Sequence, residues 1–269
     1  MTEAGDQAER PSFWARERQT WTLLQTLAPR EFRVRYRESY LDLAWALITP
    51  LVLLAVYGVI LTQAFDADGG CAPYLSAAWV GLVLWTFFSG AVFQASNSLV
   101  GSGELVTKIY FPREALPLAE VGVSLVDLAL GGATVVIVAG VQGVQPSVTV
   151  IAAIPAVVLL VVWTAAVGVL VSALTVFVRD VAHAVNLGLR AGFFATPVMY
   201  DASFLPADLR WIVDVNPVAV AIVAVRESVL CGIWPNWGLM AVHGVFGITL
   251  LVLALLYVRR YESHMVDVL

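Results

Sequence analysis

The chain has 269 residues, 60% hydrophobic and only 13% charged, with a mean hydropathy of +0.84. That is more apolar surface than a soluble domain of this length buries, so a soluble enzyme or binding module is excluded and an integral membrane protein is expected. The net charge of −5 decides little, because orientation follows where the cations sit rather than their sum, and two cysteines without a Cys/His cluster offer no metal site.

Residues 1–11 are polar, lack periodicity and end in Pro11, which reads as a mobile tail. From Ser12 to Ala28, Trp14, Trp21, Leu24 and Ala28 recur at helical spacing with Arg16, Glu17, Arg18 and Gln25 between them. This pattern predicts an amphipathic helix lying in the headgroup region, ended by Pro29. Arg30, Arg33, Arg35 and Arg37, mixed with Phe32, Tyr36 and Tyr40, suit a membrane–water boundary. The first apolar run begins only after about forty residues, unlike a secretory signal.

A helix needs about 20 apolar residues to cross a bilayer. Six stretches qualify: roughly 43–65, 74–98, 118–141, 149–177, 184–200 and 238–258. Twelve of the fifteen Lys and Arg residues then fall on one side, in the N-terminal segment, the 104–117 loop, Arg179 and the pair Arg259 and Arg260. Only Arg210 and Arg226 lie on the other side, and Arg190 lies within a span, so both termini are expected to be cytoplasmic. The fold expected is all-α and polytopic. It comprises a cytoplasmic tail with its interfacial helix over 1–42 and a six-span domain over 43–269.

Two segments between spans stand out. The 104–117 loop holds Lys108, the only lysine, with Arg113 and Glu114. Pro112 and Pro117 bracket a single turn, Arg113 to Leu116, consistent with a short force-passing helix or with an ordinary charged loop. The 201–237 segment contains Val218 to Val225, apolar yet too short to cross. Two short re-entrant helices, Ala207 to Val213 and Val218 to Leu230, are expected there, hinged at Asn216-Pro217.

Charged groups within spans are costly and so informative. Asp127 sits mid-span with Glu120 two turns earlier on the same face, and Arg190 is their expected partner in an ion pair, the alternative being that it snorkels to the cytoplasmic surface. Gly188 and Gly192 permit close helix contact. Trp45 and Tyr57 in the first span, with Trp79, Trp85, Phe87, Phe88 and Phe93 in the second, form a dense aromatic set. Sugar rings stack on such faces, so this set is the candidate conduit; interfacial belt and core packing are the alternative. Cys71 and Cys231 both fall on the extracytoplasmic side in this topology, where a disulfide would persist and tie the first outer loop to the re-entrant region.

Catalytic chemistry has little support. The sole lysine is preceded by Thr107, so no phosphate-cradling G-x-x-x-x-G-K-[ST] loop is present. The closest carboxylate pair in any loop between spans, Asp66 and Asp68, falls on the outer side, and the Ser89-Gly90 pair lacks the glycine of a serine-protease elbow. No catalytic residue is assigned, and any energy source lies on another chain.

Four separated stretches resemble the ABC-2 type permeases that export lipid-linked polysaccharides such as O-antigen and teichoic acid. Arg35-Tyr-Arg-Glu-Ser-Tyr-Leu-Asp-Leu-Ala-Trp45-Ala-Leu-Ile-Thr-Pro50 is similar to their first-span motif, and Lys108-Ile-Tyr-Phe-Pro-Arg-Glu114 with Leu116-Pro117 to their K-[VI]-Y-F-P-R-E-x-L-P. Arg179-Asp180 with His183 leads to Pro197-Val-Met-Tyr200, Arg210-Trp211 and Asn216-Pro217, and Asp267-Val268-Leu269 resembles the family ending. Asp42 replaces a usual Gly, and Thr49 a common Asn. The resemblance implies a half-transporter: two copies of this chain, two of a separate ATPase that carries ATP and Mg²⁺, a lipid-linked glycan, and no nucleic acid. It also implies a coupling helix at Lys108, Tyr110, Phe111, Pro112, Arg113 and Glu114, and an outer gate at Pro197, Tyr200, Asn216 and Pro217. An exporter of a drug, antibiotic or simple lipid is the runner-up within the same fold.

Overall fold

The computed structural model describes residues 71–103, 111–202 and 205–268, with ten isolated positions between 20 and 56. Trp45, Tyr57, Lys108, Tyr110 and nearly all of the predicted first span lie outside the described residues, although Ile48, Val52 and Val56 are helical. Among the isolated positions Pro29 is itself helical, so the predicted helix does not stop before it.

The described residues form only helices: α1 (Tyr74–Gly101), α2 (Ala115–Val141), α3 (Ala153–Phe177), α4 (Asp180–Ala195), α5 (Trp211–Val215), α6 (Pro217–Leu230) and α7 (Trp237–Val268). A 3₁₀ turn, Val148–Ala152, leads into α3, and another, Ala207–Leu209, precedes α5. Among the described residues, four segments are long and apolar enough to cross a membrane: Tyr74–Gly101, Ala115–Val141, Val148–Phe177 and Trp237–Val266. They match the second, third, fourth and sixth predicted spans to within a few residues at most ends, because long apolar runs leave no other way to satisfy the backbone in lipid. The sixth runs on, since α7 has 32 residues and so reaches about 48 Å.

The fifth predicted span differs. Its helix covers Asp180–Ala195, 16 residues, about 24 Å against a hydrocarbon core of about 30 Å. Pro197 causes the early end. The residue before a proline is pushed out of the helical region, and Thr196 is extended, with φ −102° and ψ 139°.

The first of the four spans is the centre of the bundle. α1 packs on α2, α3, α4 and α6, while α7 lies along α3. Polar side chains fasten neighbours at few points: the Trp79 indole donates to Thr134 at 2.8 Å (α1 to α2), and the Trp163 indole to the His243 carbonyl at 3.0 Å (α3 to α7). Lipid tails are as apolar as leucine, so such bonds and close packing, rather than hydrophobicity, hold helices together, each bond contributing about 0.6–2 kcal/mol. The core divides in two. A large cluster surrounds α1 and α6, and a smaller one, at the other end, joins Leu99, Phe111, Leu116, Val176, Val258 and Met265.

Candidate functional site

Between α1 and α4 lies an open groove of about 610 Å³. Leu82, Trp85, Thr86, Ser89, Gly90 and Phe93 form its α1 wall, and Asn186, Leu189, Arg190, Phe193 and Phe194 its α4 wall. The α1 wall follows from helical periodicity, since 82, 85, 86, 89, 90 and 93 recur on one face. A Cβ at Gly192 would sit 3.0 Å from the Trp85 ring, so glycine there lets α4 close onto that indole. Trp85 packs edge-on to Phe193 at 6.1 Å and beside Phe88 at 5.7 Å. The lining therefore alternates aromatic faces with Thr86, Ser89, Asn186 and one guanidinium.

Of the predicted conduit aromatics, the groove gathers Trp85 and Phe93. Trp79 and Phe87 are 1% and 2% exposed and serve the core. Phe88, buried as well, supports the Trp85 ring without lining the groove. Phe193 and Phe194 were not singled out from sequence. Their signal was available, as an aromatic pair one turn past Arg190, but only the packing of α4 on α1 gives it meaning.

The expected Asp127–Arg190 ion pair is not formed. α4 packs on α1 and α3, which puts Arg190 on the groove, whereas Asp127 is half-buried on α2. Counting faces within each helix cannot say which helices become neighbours.

At one end the groove meets a knot built on Arg226. This side chain is 7% exposed. Its Nε donates to the Ala77 carbonyl at 2.8 Å and its Nη1 to Pro197 and Tyr200 at 2.7 and 3.0 Å, while Nη2 donates to the Val198 carbonyl. One residue of α6 thus joins the start of α1 to the chain after α4. Burial lowers its pKa to about 10 against the opposing pull of Asp201, Tyr74 and Tyr200, so it remains a cation at neutral pH. Gly81 completes the fit, because any Cβ there would overlap the Val198 carbonyl.

The predicted outer-gate residues converge on this knot. Asn216 caps α6, its Oδ1 accepting from Val218 and Ala219 at 3.0 and 3.3 Å with Pro217 as first helical residue, while its Nδ2 donates to Thr196 at 2.8 Å. The Tyr200 hydroxyl donates to the Phe194 carbonyl at 3.2 Å, tying the knot to the groove wall. Asn216-Pro217 is therefore a pinned helix start rather than a free hinge. Close by, Cys71 and Cys231 form a disulfide with Cα atoms 5.3 Å apart, an ordinary separation for such a bond.

The opposite end holds residues 111–117, the described part of the predicted 104–117 loop. Phe111, Arg113 and Glu114 are 4%, 4% and 0% exposed. Arg113 stacks over the Phe111 ring at 4.9 Å, and Glu114 accepts from Arg259 of α7 at 3.0 Å. Arg113 and Glu114 form the turn that enters α2, not a separate helix. Pro117 lies within the first turn of α2, where a missing N–H costs nothing because the first four N–H groups of a helix lack partners within it. Within this chain, Arg113 is thus tied to the Phe111 ring and Glu114 to α7.

The family model described as ABC-2 type transporter matches residues 22–230. Two Klebsiella pneumoniae proteins, each named O-antigen export system permease protein RfbA, are 25% and 24% identical over 248 residues, 92% of this chain and 95% of theirs. A Myxococcus xanthus protein of the same name is 31% identical over 182 residues, 67% of this chain and 69% of its own.

Proposed function

Since the chain belongs to the ABC-2 type transporter family, we propose that it is the transmembrane subunit of an exporter for a lipid-linked polysaccharide. ATP is hydrolysed on a separate chain. The observation that carries this reading is the groove between α1 and α4, whose Trp85, Phe93 and Phe193 faces alternate with Ser89, Asn186 and Arg190. Aromatic faces bind the C–H face of a sugar while polar neighbours bind its hydroxyls, without demanding one sugar sequence. A groove of that character suits a long repeating glycan. Relatives named O-antigen export permease over nearly the whole chain agree with it.

The groove is open on its free side, and α4 contributes no buried residue. A second copy of the chain closes the conduit there, giving a homodimeric pore served by two ATPase subunits. The Cys71–Cys231 bond supports the orientation, since disulfides persist on the extracytoplasmic side. The Arg226 knot is then the outer gate, and the 104–117 loop faces the ATPase in the cytoplasm, as do both termini. The protein sits in the cytoplasmic membrane.

Depletion tests the reading. Removing the chain from a glycan-exporting host should make the lipid-linked glycan accumulate inside the cell, and affinity purification should bring down an ABC ATPase. A host that exports its glycans normally after depletion would overturn it.

A further inference from the structure

Two polar contacts lie at opposite ends of α7. Arg259 bonds Glu114 in the turn that enters α2, at 3.0 Å, with Glu114 fully buried. At the other end the His243 Nε2–H donates to the Asp214 carbonyl of α5 at 2.8 Å, and His243 is 8% exposed. The carbonyl of the same histidine accepts from Trp163, which fixes its place on α3. Sixteen residues of unbroken helix separate His243 from Arg259, about 24 Å. Beyond Arg259, Met265 is fully buried against the cluster that contains Phe111 and Leu116.

We propose that α7 is a rod joining the two ends: Glu114–Arg259 links it to the coupling turn, and His243 links it to the short helices of the gate. Displacement of the turn reaches α5 through a rigid helix, in parallel with the path through α2. Glu114, Arg259 and His243 are positioning residues, acting through the turn and through α5. This inference rests on the exporter reading above.

A double-mutant cycle tests it on the intact complex with its ATPase in proteoliposomes. Arg259→Gln and His243→Leu are made singly and together, and glycan export per ATP hydrolysed is measured beside ATPase co-purification. Each single variant should lower export per ATP by roughly fivefold or more, the lower end of ordinary coupling free energies. The double variant should be no worse than the poorer single one, because both break the same rod. His243→Gln, which keeps a donor, and Arg259→Lys, which keeps the charge, should recover at least part of the ratio and also serve if the first variants fail to assemble. Independent, multiplicative losses, or unchanged ratios in His243→Leu, would overturn the rod while leaving the exporter reading intact. Wild-type complex without ATP-dependent export would remove that reading, and the rod with it.

Discussion

The two ends of the bundle each hold a buried charge, and they hold it differently. Arg226 is bound by four main-chain carbonyls from α1 and the 197–200 stretch. Glu114 accepts instead from the side chain of Arg259, 145 positions away on another helix. Carbonyls cannot rotate out of reach without unfolding their segments, so the Arg226 knot is a fixed joint. A side-chain pair opens and reforms by rotamer change, so the Glu114 end is the one suited to movement. The Cys71–Cys231 bond lies at the fixed end. On the exporter reading proposed above, motion enters at the Glu114 end, and the Arg226 knot at the other end moves as one stiff unit.

The sharpest way to break this contrast is at Arg226. Arg226→Met would leave four carbonyls without their donor at roughly 1 kcal/mol or more each, and should abolish the monodisperse protein in detergent. Arg226→Lys, with one ammonium and a shorter reach, should survive at lower yield and melting temperature. If Arg226→Met matches wild type in thermal stability, the knot is not the joint described here.

Next in size is the disulfide. Cys71→Ser with Cys231→Ser should lower stability by about 2–4 kcal/mol and remove a reductant-dependent mobility shift, with export retained at low temperature. Equal thiol labelling of the denatured wild type with and without reductant would contradict the bond.

Gly81→Val follows, since its Cβ would meet the Val198 carbonyl. Overpacking of this kind costs about 1–3 kcal/mol, so a melting temperature below wild type is expected. Gly90→Ala on the same helix, where nothing lies within 4 Å, serves as the unaffected control.

The smallest effect on stability, though not on export, belongs to the groove. Phe93→Ala should leave folding near wild type, because Phe93 is 38% exposed, and should slow export. Phe87→Ala, in the core, should do the reverse at about 3–5 kcal/mol of stability. Folding losses without any export defect in the Phe93 variant would return the groove to plain packing.

How much of this was legible in the sequence depends on the partner each residue chose. The long spans were readable because apolar runs of this length allow one solution, and Cys71 with Cys231 because the predicted topology puts both on the extracytoplasmic side. Arg226 was counted as a loop cation and no more. Its acceptors are main-chain carbonyls, which carry no side-chain signature. Glu114 was assigned to the coupling region through the family resemblance; its bond to Arg259, 145 positions away, left no local signature. Asp127 and Arg190 were paired because both are charged and mid-span, yet the choice of neighbouring helices is made by glycine contacts such as Gly192 on Trp85.

On the reading proposed above, this chain forms the path for a glycan and takes its energy from another subunit. Proteoliposomes containing the chain and its ATPase, loaded with a lipid-linked glycan, test it through the access of a membrane-impermeant glycosidase to the glycan. Access should change on addition of ATP, require both chains, and fall in the Trp85→Ala/Phe93→Ala double variant while ATPase assembly is kept. ATP-dependent movement of the glycan that persists without this chain, or at an unchanged rate in the folded double variant, would contradict the account.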